Sequence, residues 1–171
     1  MTLILGGARS GKSAHAEDLV TGSGLLPVYL ATAQPLDEEM RVRIDQHRAR
    51  RGTGWRTVEE PLDLANALER ELHPRHAVLI DCLTLWLSNL LLAERDVDAA
   101  SDALVSVLER RLGPVVLVSN EVGSGIVPLG ALSRAFVDHA GRLHQRVAAI
   151  ADRVHLVVAG LPLDLKPPCT S

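Results

Sequence analysis

Five short aliphatic runs divide the chain, and they do not alternate between apolar and polar residues. Continuous apolar runs of this length are typical of strands that are buried on both faces of a sheet. The runs are Thr2 to Leu5, Pro27 to Ala31, Ala77 to Ile80, Val115 to Val118 and Val154 to Val158. We therefore predict five buried strands.

Longer segments with helical spacing of apolar residues lie between and after these runs. They extend from about Lys12 to Val20, Glu38 to Arg50, Leu62 to Leu72, Leu83 to Ala93, Val97 to Leu112 and Leu132 to Ala151. Alternating strands and helices predict an α/β fold, with a mostly parallel sheet that carries helices on both faces. Ligands of such sheets bind beyond the carboxyl ends of the strands, so the residues just after each run are the candidates for chemistry.

The length of 171 residues suits one domain, and we expect residues 1–171 to form it. Hydrophobic residues make up 47% of the chain, which is enough for a sizeable core. Two Trp, one Tyr and one Phe are too few for base-stacking platforms, and 18 basic against 21 acidic residues give a net charge of −3. We therefore expect a small-molecule substrate and no nucleic-acid partner.

The cysteines and the N-terminal residues bear on the cellular compartment of the protein. Cys82 and Cys169 form no CxxC pair, so we expect no disulfide and a reducing compartment. No apolar stretch approaches the ~20 residues of a membrane-spanning helix, and the N-terminus has no basic leader. We expect a cytoplasmic protein without a membrane span.

A phosphate-binding loop follows the first strand. Its pattern is G-x-x-x-x-G-K-[ST], formed by Gly6, Gly7, Ala8, Arg9, Ser10, Gly11, Lys12 and Ser13. Backbone N–H groups of such a loop cradle phosphates, Lys12 reaches the β and γ phosphates as a catalytic cation, and the Ser13 hydroxyl ligates Mg²⁺. The alternative is a glycine turn with an accidental lysine. The loop favours a P-loop NTPase-like sheet.

Two further strand ends carry polar residues. Asp81 ends the third run, where P-loop proteins place the acid that holds Mg²⁺ directly or through water. Asp81 also precedes a helical stretch, so it is alternatively a helix cap. The fourth run leads through Ser119-Asn120-Glu121 to Gly123-Ser124-Gly125, which is either a plain turn or a substrate contact.

An arginine-rich helix follows the second strand. Acidic residues open it and five arginines lie between positions 41 and 51, which suits the helix macrodipole. These arginines are either a solvated helix end or a clamp for a triphosphate. Met40, Ile44 and His47 share one face, and His47 alone among the seven histidines is bracketed by arginines. Near an α-phosphate, its neutral imidazole would be a nucleophile, and otherwise it is a core histidine.

These residues together resemble the bifunctional adenosylcobinamide kinase and adenosylcobinamide-phosphate guanylyltransferase family over nearly the whole chain. The phosphate loop alone would not be specific, and the resemblance depends on several further segments. They are Ala31 to Gln34, Asp37 to Arg51, Trp55 to Glu59, Asn120 to Pro128, Ala140 to Arg142 and Val157 to Gly160.

The resemblance implies an enzyme that phosphorylates the aminopropanol hydroxyl of adenosylcobinamide with ATP or GTP. It then transfers GMP from GTP to that phosphate through a covalent histidine, at the position of His47. Some relatives have two adjacent histidines there, and this chain has Gln46-His47; Asp81 stands where relatives often have Glu. The family also implies a homotrimer. By position, it implies nucleotide contacts for Gly6 to Ser13, Thr32, Ala33, Gln34, Arg48, Ala49, Arg50, Arg51, Glu59 and Asp81.

Two other functions compete with this interpretation. A P-loop kinase of a small metabolite would lack the guanylyl step and would show no covalent labelling. A GTP-dependent switch usually reads guanine with an Asn-Lys-x-Asp element. The two lysines follow Gly11 and Leu165, so neither can belong to one.

Overall fold

The computed structural model describes residues 1–167, except for the side chain of Arg43, and it contains one seven-stranded sheet. The strands are β1 (Thr2–Gly6), β2 (Leu26–Ala31), β3 (Arg56–Glu59), β4 (His76–Asp81), β5 (Val115–Asn120), β6 (Arg153–Val158) and β7 (Leu161–Lys166). Their order is β3-β2-β4-β5-β1-β6-β7. All neighbours pair in parallel except β6 and β7, so the predicted mostly parallel sheet is confirmed.

Six helices cover the two faces of this sheet within the described residues. They are α1 (Lys12–Thr21), α2 (Glu38–Arg51), α3 (Leu64–Glu71), α4 (Leu83–Leu92), α5 (Val97–Glu109) and α6 (Ala131–Ile150). Leu3 faces the larger core, which α3 to α6 complete, while its neighbour Ile4 faces a smaller core together with Ala16 of α1. Both strand residues are fully buried. Because helices cover both faces of the sheet, apolar and polar residues do not alternate along these strands.

Two strands were not predicted, and both lie at edges of the sheet. β3 is short and polar, and it pairs with β2 at one edge of the sheet. β7 is antiparallel and mostly exposed, and it contains Pro162, which argues against a buried strand. The β6–β7 turn consists of Ala159 and Gly160, with φ of 52° and 80°. Because the connection is only two residues long, no polar loop separates the two strands in the sequence.

The start of α2 follows the predicted electrostatic pattern. The Asp37 side chain accepts a hydrogen bond from the backbone N–H of Met40 at 2.7 Å, Glu38 and Glu39 occupy the first turn, and arginines occupy the last. Other helix ends shift from the predictions by a few residues, most clearly α5, which ends at Glu109 instead of Leu112. No helix among residues 1–167 is long and apolar enough to cross a membrane. Cys82 is a buried free thiol, and Cys169 lies outside the described residues.

Candidate active site

A cavity of about 590 Å³ opens at the carboxyl edge of the sheet, between the phosphate loop and α2. The phosphate loop, α2 and the ends of β2, β3 and β4 all contribute to its wall. The predicted site residues that line it are Lys12, Ser13, Ala33, His47, Arg48, Arg51, Glu59 and Asp81. Segments that are far apart in sequence therefore meet at one edge, as expected for a parallel sheet.

The phosphate loop, residues 6–13, is packed tightly against the β6–β7 turn. The backbone N–H of Gly160 donates to the carbonyl of Ser10 at 2.8 Å. Gly11 has a φ of 94°, and a Cβ built on it would lie 3.1 Å from Cα of Gly160. Lys12 is largely buried, and its Nζ donates to the Gly7 carbonyl at 3.0 Å. The glycines allow a close approach of backbone segments, and the lysine is held over the loop.

Asp81 is the last residue of β4 and has the properties of a cation ligand. Its Oδ2 is buried and makes no hydrogen bond within the part of the chain that the structure describes. The N-cap of α4 is Cys82, without a side-chain cap, so the capping interpretation of Asp81 is not supported. Ser13 lines the same cavity. One carboxylate and one hydroxyl beside a phosphate site fit the way proteins hold Mg²⁺.

His47 lies in the wall of this cavity, together with Met40 and Ile44 from the same helix face. The ring is half-buried, and its Nδ1 lies 3.4 Å from Nη2 of Arg50. Burial is the main cause that lowers the pKa of His47, and the charges of Arg50 and Arg51 lower it further, against the raising effect of Asp81 and Glu17. The imidazole is therefore neutral at neutral pH, which leaves a nitrogen lone pair for chemistry.

A thiol and a phenol also line the cavity wall, and both are kept protonated. Burial raises the pKa of the Cys82 thiol to about 11. Burial also raises the pKa of Tyr29 well above its ordinary value, with Asp81 adding to the effect. Thiols and phenols are weak nucleophiles in their protonated forms. Among these three cavity residues, His47 is the one with an available lone pair.

The arginines at the end of α2 attach the helix to the rest of the protein. Arg48 forms an exposed ion pair with Glu59 of β3 at 2.8 Å, of a kind that contributes about 0–1 kcal/mol. Arg50 forms a stronger, two-bond pair with Glu17 of α1. Thus Arg48 and Arg50 are not simply solvated, because each is paired with an acidic side chain.

The third of these arginines, Arg51, contacts an aromatic ring. Its guanidinium carbon lies 3.5 Å from the centroid of the Tyr29 ring. One guanidinium nitrogen, Nη1, is buried and makes no hydrogen bond to the described residues. A cation in the cavity wall with an unsatisfied donor is suited to an anionic ligand.

Some predicted contact residues do not line the cavity. Thr32 is fully buried, and its hydroxyl donates to the Cys82 carbonyl and accepts from the Cys82 N–H, both at 2.8 Å. It joins the ends of β2 and β4. Ala49 is exposed on another side of α2, and Arg50 is turned toward Glu17. Gln34 and the loop residues Gly6, Gly7, Ala8, Arg9, Ser10 and Gly11 are not part of the cavity wall.

Sequence reasoning missed two residues that shape the site, Glu17 and Tyr29. Glu17 is largely buried on α1, one turn beyond Ser13, and holds Arg50. Tyr29 lies inside a strand predicted only as core. An acidic residue one turn beyond the phosphate loop could have been predicted as a site residue. Nothing in the sequence, however, indicates that Glu17 or Tyr29 contacts α2.

Solved structures similar to this one support the fold. One is described as a structural study of Project ID PH0250 from Pyrococcus horikoshii OT3, with a TM-score of 0.57, 10% identity, and coverage of 98% of this chain and 86% of that chain. Another is described as a prototypical ATPase from the type III secretion system of pathogenic bacteria, with a TM-score of 0.55, 13% identity, and coverage of 95% and 56%. The likeness in fold, which includes an ATPase, agrees with the predicted P-loop NTPase-like sheet.

Curated relatives match nearly the full length of the chain. The bifunctional adenosylcobalamin biosynthesis protein CobP of Pseudomonas aeruginosa is 55% identical, over 96% of both chains. The bifunctional adenosylcobalamin biosynthesis protein CobU of Escherichia coli is 41% identical, over 97% of this chain and 99% of that protein. The profile of the family described as cobinamide kinase / cobinamide phosphate guanyltransferase matches residues 2–165. The chain therefore belongs to this family of nucleotide-using, bifunctional enzymes of adenosylcobalamin biosynthesis.

Proposed function

We propose that residues 1–171 act as one domain that carries out both reactions of the family at a single cavity. The first reaction phosphorylates adenosylcobinamide with ATP or GTP. The second transfers GMP from GTP to adenosylcobinamide phosphate through a covalent guanylyl-histidine at His47, giving adenosylcobinamide-GDP. The observation that carries this proposal is that His47 shares one cavity with Lys12, Ser13 and Asp81.

In the kinase reaction, the protein positions the phosphates and stabilises their charge. Backbone N–H groups of the phosphate loop and the Lys12 ammonium contact the phosphates of the donor. The γ-phosphoryl group passes directly to the acceptor hydroxyl, so no protein nucleophile is needed. Arg51, with a buried unsatisfied N–H, adds positive charge at the same wall.

A magnesium ion fits beside these phosphates. The Ser13 hydroxyl and the Asp81 carboxylate, whose Oδ2 has no partner in the described structure, would hold it. When bound, the ion neutralises phosphate charge and orients the oxygens of the nucleotide. Ser13 is the last residue of the phosphate loop and Asp81 is the last residue of β4, and both line the cavity.

In the guanylyl reaction, a nitrogen of His47 forms a bond to the α-phosphorus of GTP, and the bond from phosphorus to the bridging oxygen of the β-phosphate breaks. Pyrophosphate leaves with the bonding electron pair. An oxygen of the acceptor phosphate then attacks the same phosphorus, and the P–N bond breaks to restore the imidazole. The neutral state of the His47 ring supports its role in the first step.

We also propose a homo-oligomer, a trimer by family resemblance, that works in the cytoplasm. The edge strand β7 supports self-association. It exposes Leu161 and Leu163, which lie two residues apart on the strand and so share one face, and it also exposes Leu165, where the pairing with β6 is irregular. Light scattering on the purified protein measures the assembly, and Leu163→Glu is expected to dissociate it.

Covalent labelling tests the proposed function. The protein is incubated with α-labelled GTP and Mg²⁺, denatured, and digested to locate the label. We expect an acid-labile, alkali-stable label on the peptide that contains His47. His73→Ala is the matched control, because His73 lies at the opposite edge of the sheet, before β4, and the variant should label like the unmodified protein. Kinase activity without any label would instead support a P-loop kinase that lacks the guanylyl step.

A further inference from the structure

Three apolar side chains project into solvent from the loop between β5 and α6. Ile126 and Leu129 are each 97% exposed, and Val127 is 73% exposed. We call these three residues the apolar rim. Single exposed apolar residues are common on protein surfaces, but a cluster of nearly fully exposed ones marks an interaction site.

The apolar rim belongs to the same edge of the sheet as the cavity. The loop that carries it starts at Asn120, the last residue of β5, which lines the cavity. The backbone N–H of Glu121 donates to the carbonyl of Gly6 at 3.1 Å, so the base of the loop is bonded to the phosphate loop. The apolar rim is therefore carried by a loop whose base lines the cavity.

Polar contacts hold this loop at both ends. Near its start, the backbone N–H of Gly123 donates to Oε1 of Glu121 at 2.7 Å. Near its end, Nη1 of Arg134 donates to the carbonyls of Pro128 and Leu129. The charged residues at the base are thus engaged with the loop itself, and the part that faces solvent is apolar.

The loop is also uncharged over a long stretch. Residues 122–133 include no Asp, Glu, Lys, Arg or His. The wall formed by Lys12, Arg48 and Arg51 has the opposite character, which suits the phosphates of a nucleotide. An uncharged apolar surface at the same edge suits a bulky, mostly apolar molecule that must reach the nucleotide.

We infer that the apolar rim binds the corrin macrocycle of the acceptor, which rests on the proposed function. A cavity of about 590 Å³ has the size of a site for one small ligand, so a nucleotide leaves no room in it for a macrocycle. The macrocycle must remain outside while its side-chain hydroxyl or phosphate enters. The methyl-bearing ring offers apolar surface to Ile126, Val127 and Leu129, and the loop backbone offers hydrogen-bonding groups to its amides.

The test compares Ile126→Ser, Leu129→Ser and the double variant with two controls. Leu26→Ser and Leu112→Ser alter leucines of similar chemistry, 62% and 65% exposed, at the opposite edge of the sheet. For each protein, the KM for adenosylcobinamide, labelling by α-labelled GTP without corrinoid, and the oligomeric state are measured. We expect the double variant to raise this KM about tenfold, with unchanged labelling and assembly. Both controls should keep the original KM.

Other outcomes would overturn the inference. An unchanged KM in the double variant means that the macrocycle binds elsewhere. A raised KM that accompanies dissociation of the oligomer means that a second copy of the chain covers the apolar rim. Since the rim residues are almost fully exposed, their replacement should not disturb folding, and thermal unfolding of the single variants checks this point. Absence of labelling in the unmodified protein would contradict the proposed function but would leave the KM comparison in the kinase reaction intact.

Discussion

Arg50 and Glu17 form a two-bond ion pair that joins α2 to α1, with Nε to Oε2 at 2.8 Å and Nη2 to Oε1 at 2.9 Å. The same Nη2 lies 3.4 Å from Nδ1 of His47. The pair therefore places a fixed positive charge beside the proposed nucleophile and anchors the helix that carries it.

This arrangement predicts opposite pH shifts for two variants. The pKa of His47 is lowered mainly by burial, and labelling requires the neutral ring, so the labelling rate should fall as pH drops through that lowered pKa. Arg50→Gln removes a charge that lowers the pKa and should move the acid limb to higher pH. Glu17→Gln removes a charge that raises it and should move the limb to lower pH.

The measurement is the pH dependence of the single-turnover labelling rate with α-labelled GTP. Thermal unfolding of both variants at each pH controls for loss of structure. Shifts in the same direction for the two variants, or no shift in either, would show that the protonation of His47 does not limit the reaction.

Thr32 is expected to act on stability instead of on nucleotide affinity. Thr32→Val keeps the shape but leaves the buried N–H of Cys82 without its partner, and it removes one of two donors to the Cys82 carbonyl, which keeps the N–H of Trp86. The free energy of unfolding should fall by about 1–3 kcal/mol, with little change in the KM for GTP. Urea denaturation measures the first quantity. Thr32→Ser keeps the hydroxyl and should recover most of the stability, whereas a large rise in KM without loss of stability would indicate a direct nucleotide contact.

Asp81→Asn is expected to raise the Mg²⁺ concentration required for half-maximal activity by about tenfold or more. The change removes a negative charge and keeps the shape, so weaker cation binding is its main effect. Asp45→Asn is a matched control, because Asp45 lines the same cavity from α2. A magnesium titration of both variants decides the point: equal curves for Asp81→Asn and the unmodified protein would remove Asp81 from the cation site.

The sequence predicts well those elements that need only an apolar environment and not a particular partner residue. β4 could be recognised because any strand buried on both faces must be aliphatic. The spacing of Met40, Ile44 and His47 likewise identifies the helix face that lines the cavity, because helical geometry alone determines it. Neither the burial of a strand nor the orientation of a helix face depends on which particular residue lies opposite.

The features that the sequence does not predict depend on specific long-range partners. The pair of Arg50 with Glu17 joins residues 33 positions apart, and neither belongs to a pattern that names the other. Thr32 looks like a ligand residue because it follows a strand, yet its hydroxyl faces a neighbouring strand end. β7 lacks a buried face, so the hydrophobic signal that reveals a strand is missing.

Both reaction rates, measured in one folded preparation of His47→Ala, show directly whether guanylyl transfer passes through this histidine. Kinase transfer should largely survive, because it needs positioning but no protein nucleophile. Guanylyl transfer should be abolished, because the covalent intermediate cannot form, and adenosylcobinamide phosphate should accumulate. Lys12→Ala serves as the control that loses both reactions. Guanylyl transfer retained by His47→Ala, or equal loss of both rates, would show that His47 is not the nucleophile of the guanylyl reaction.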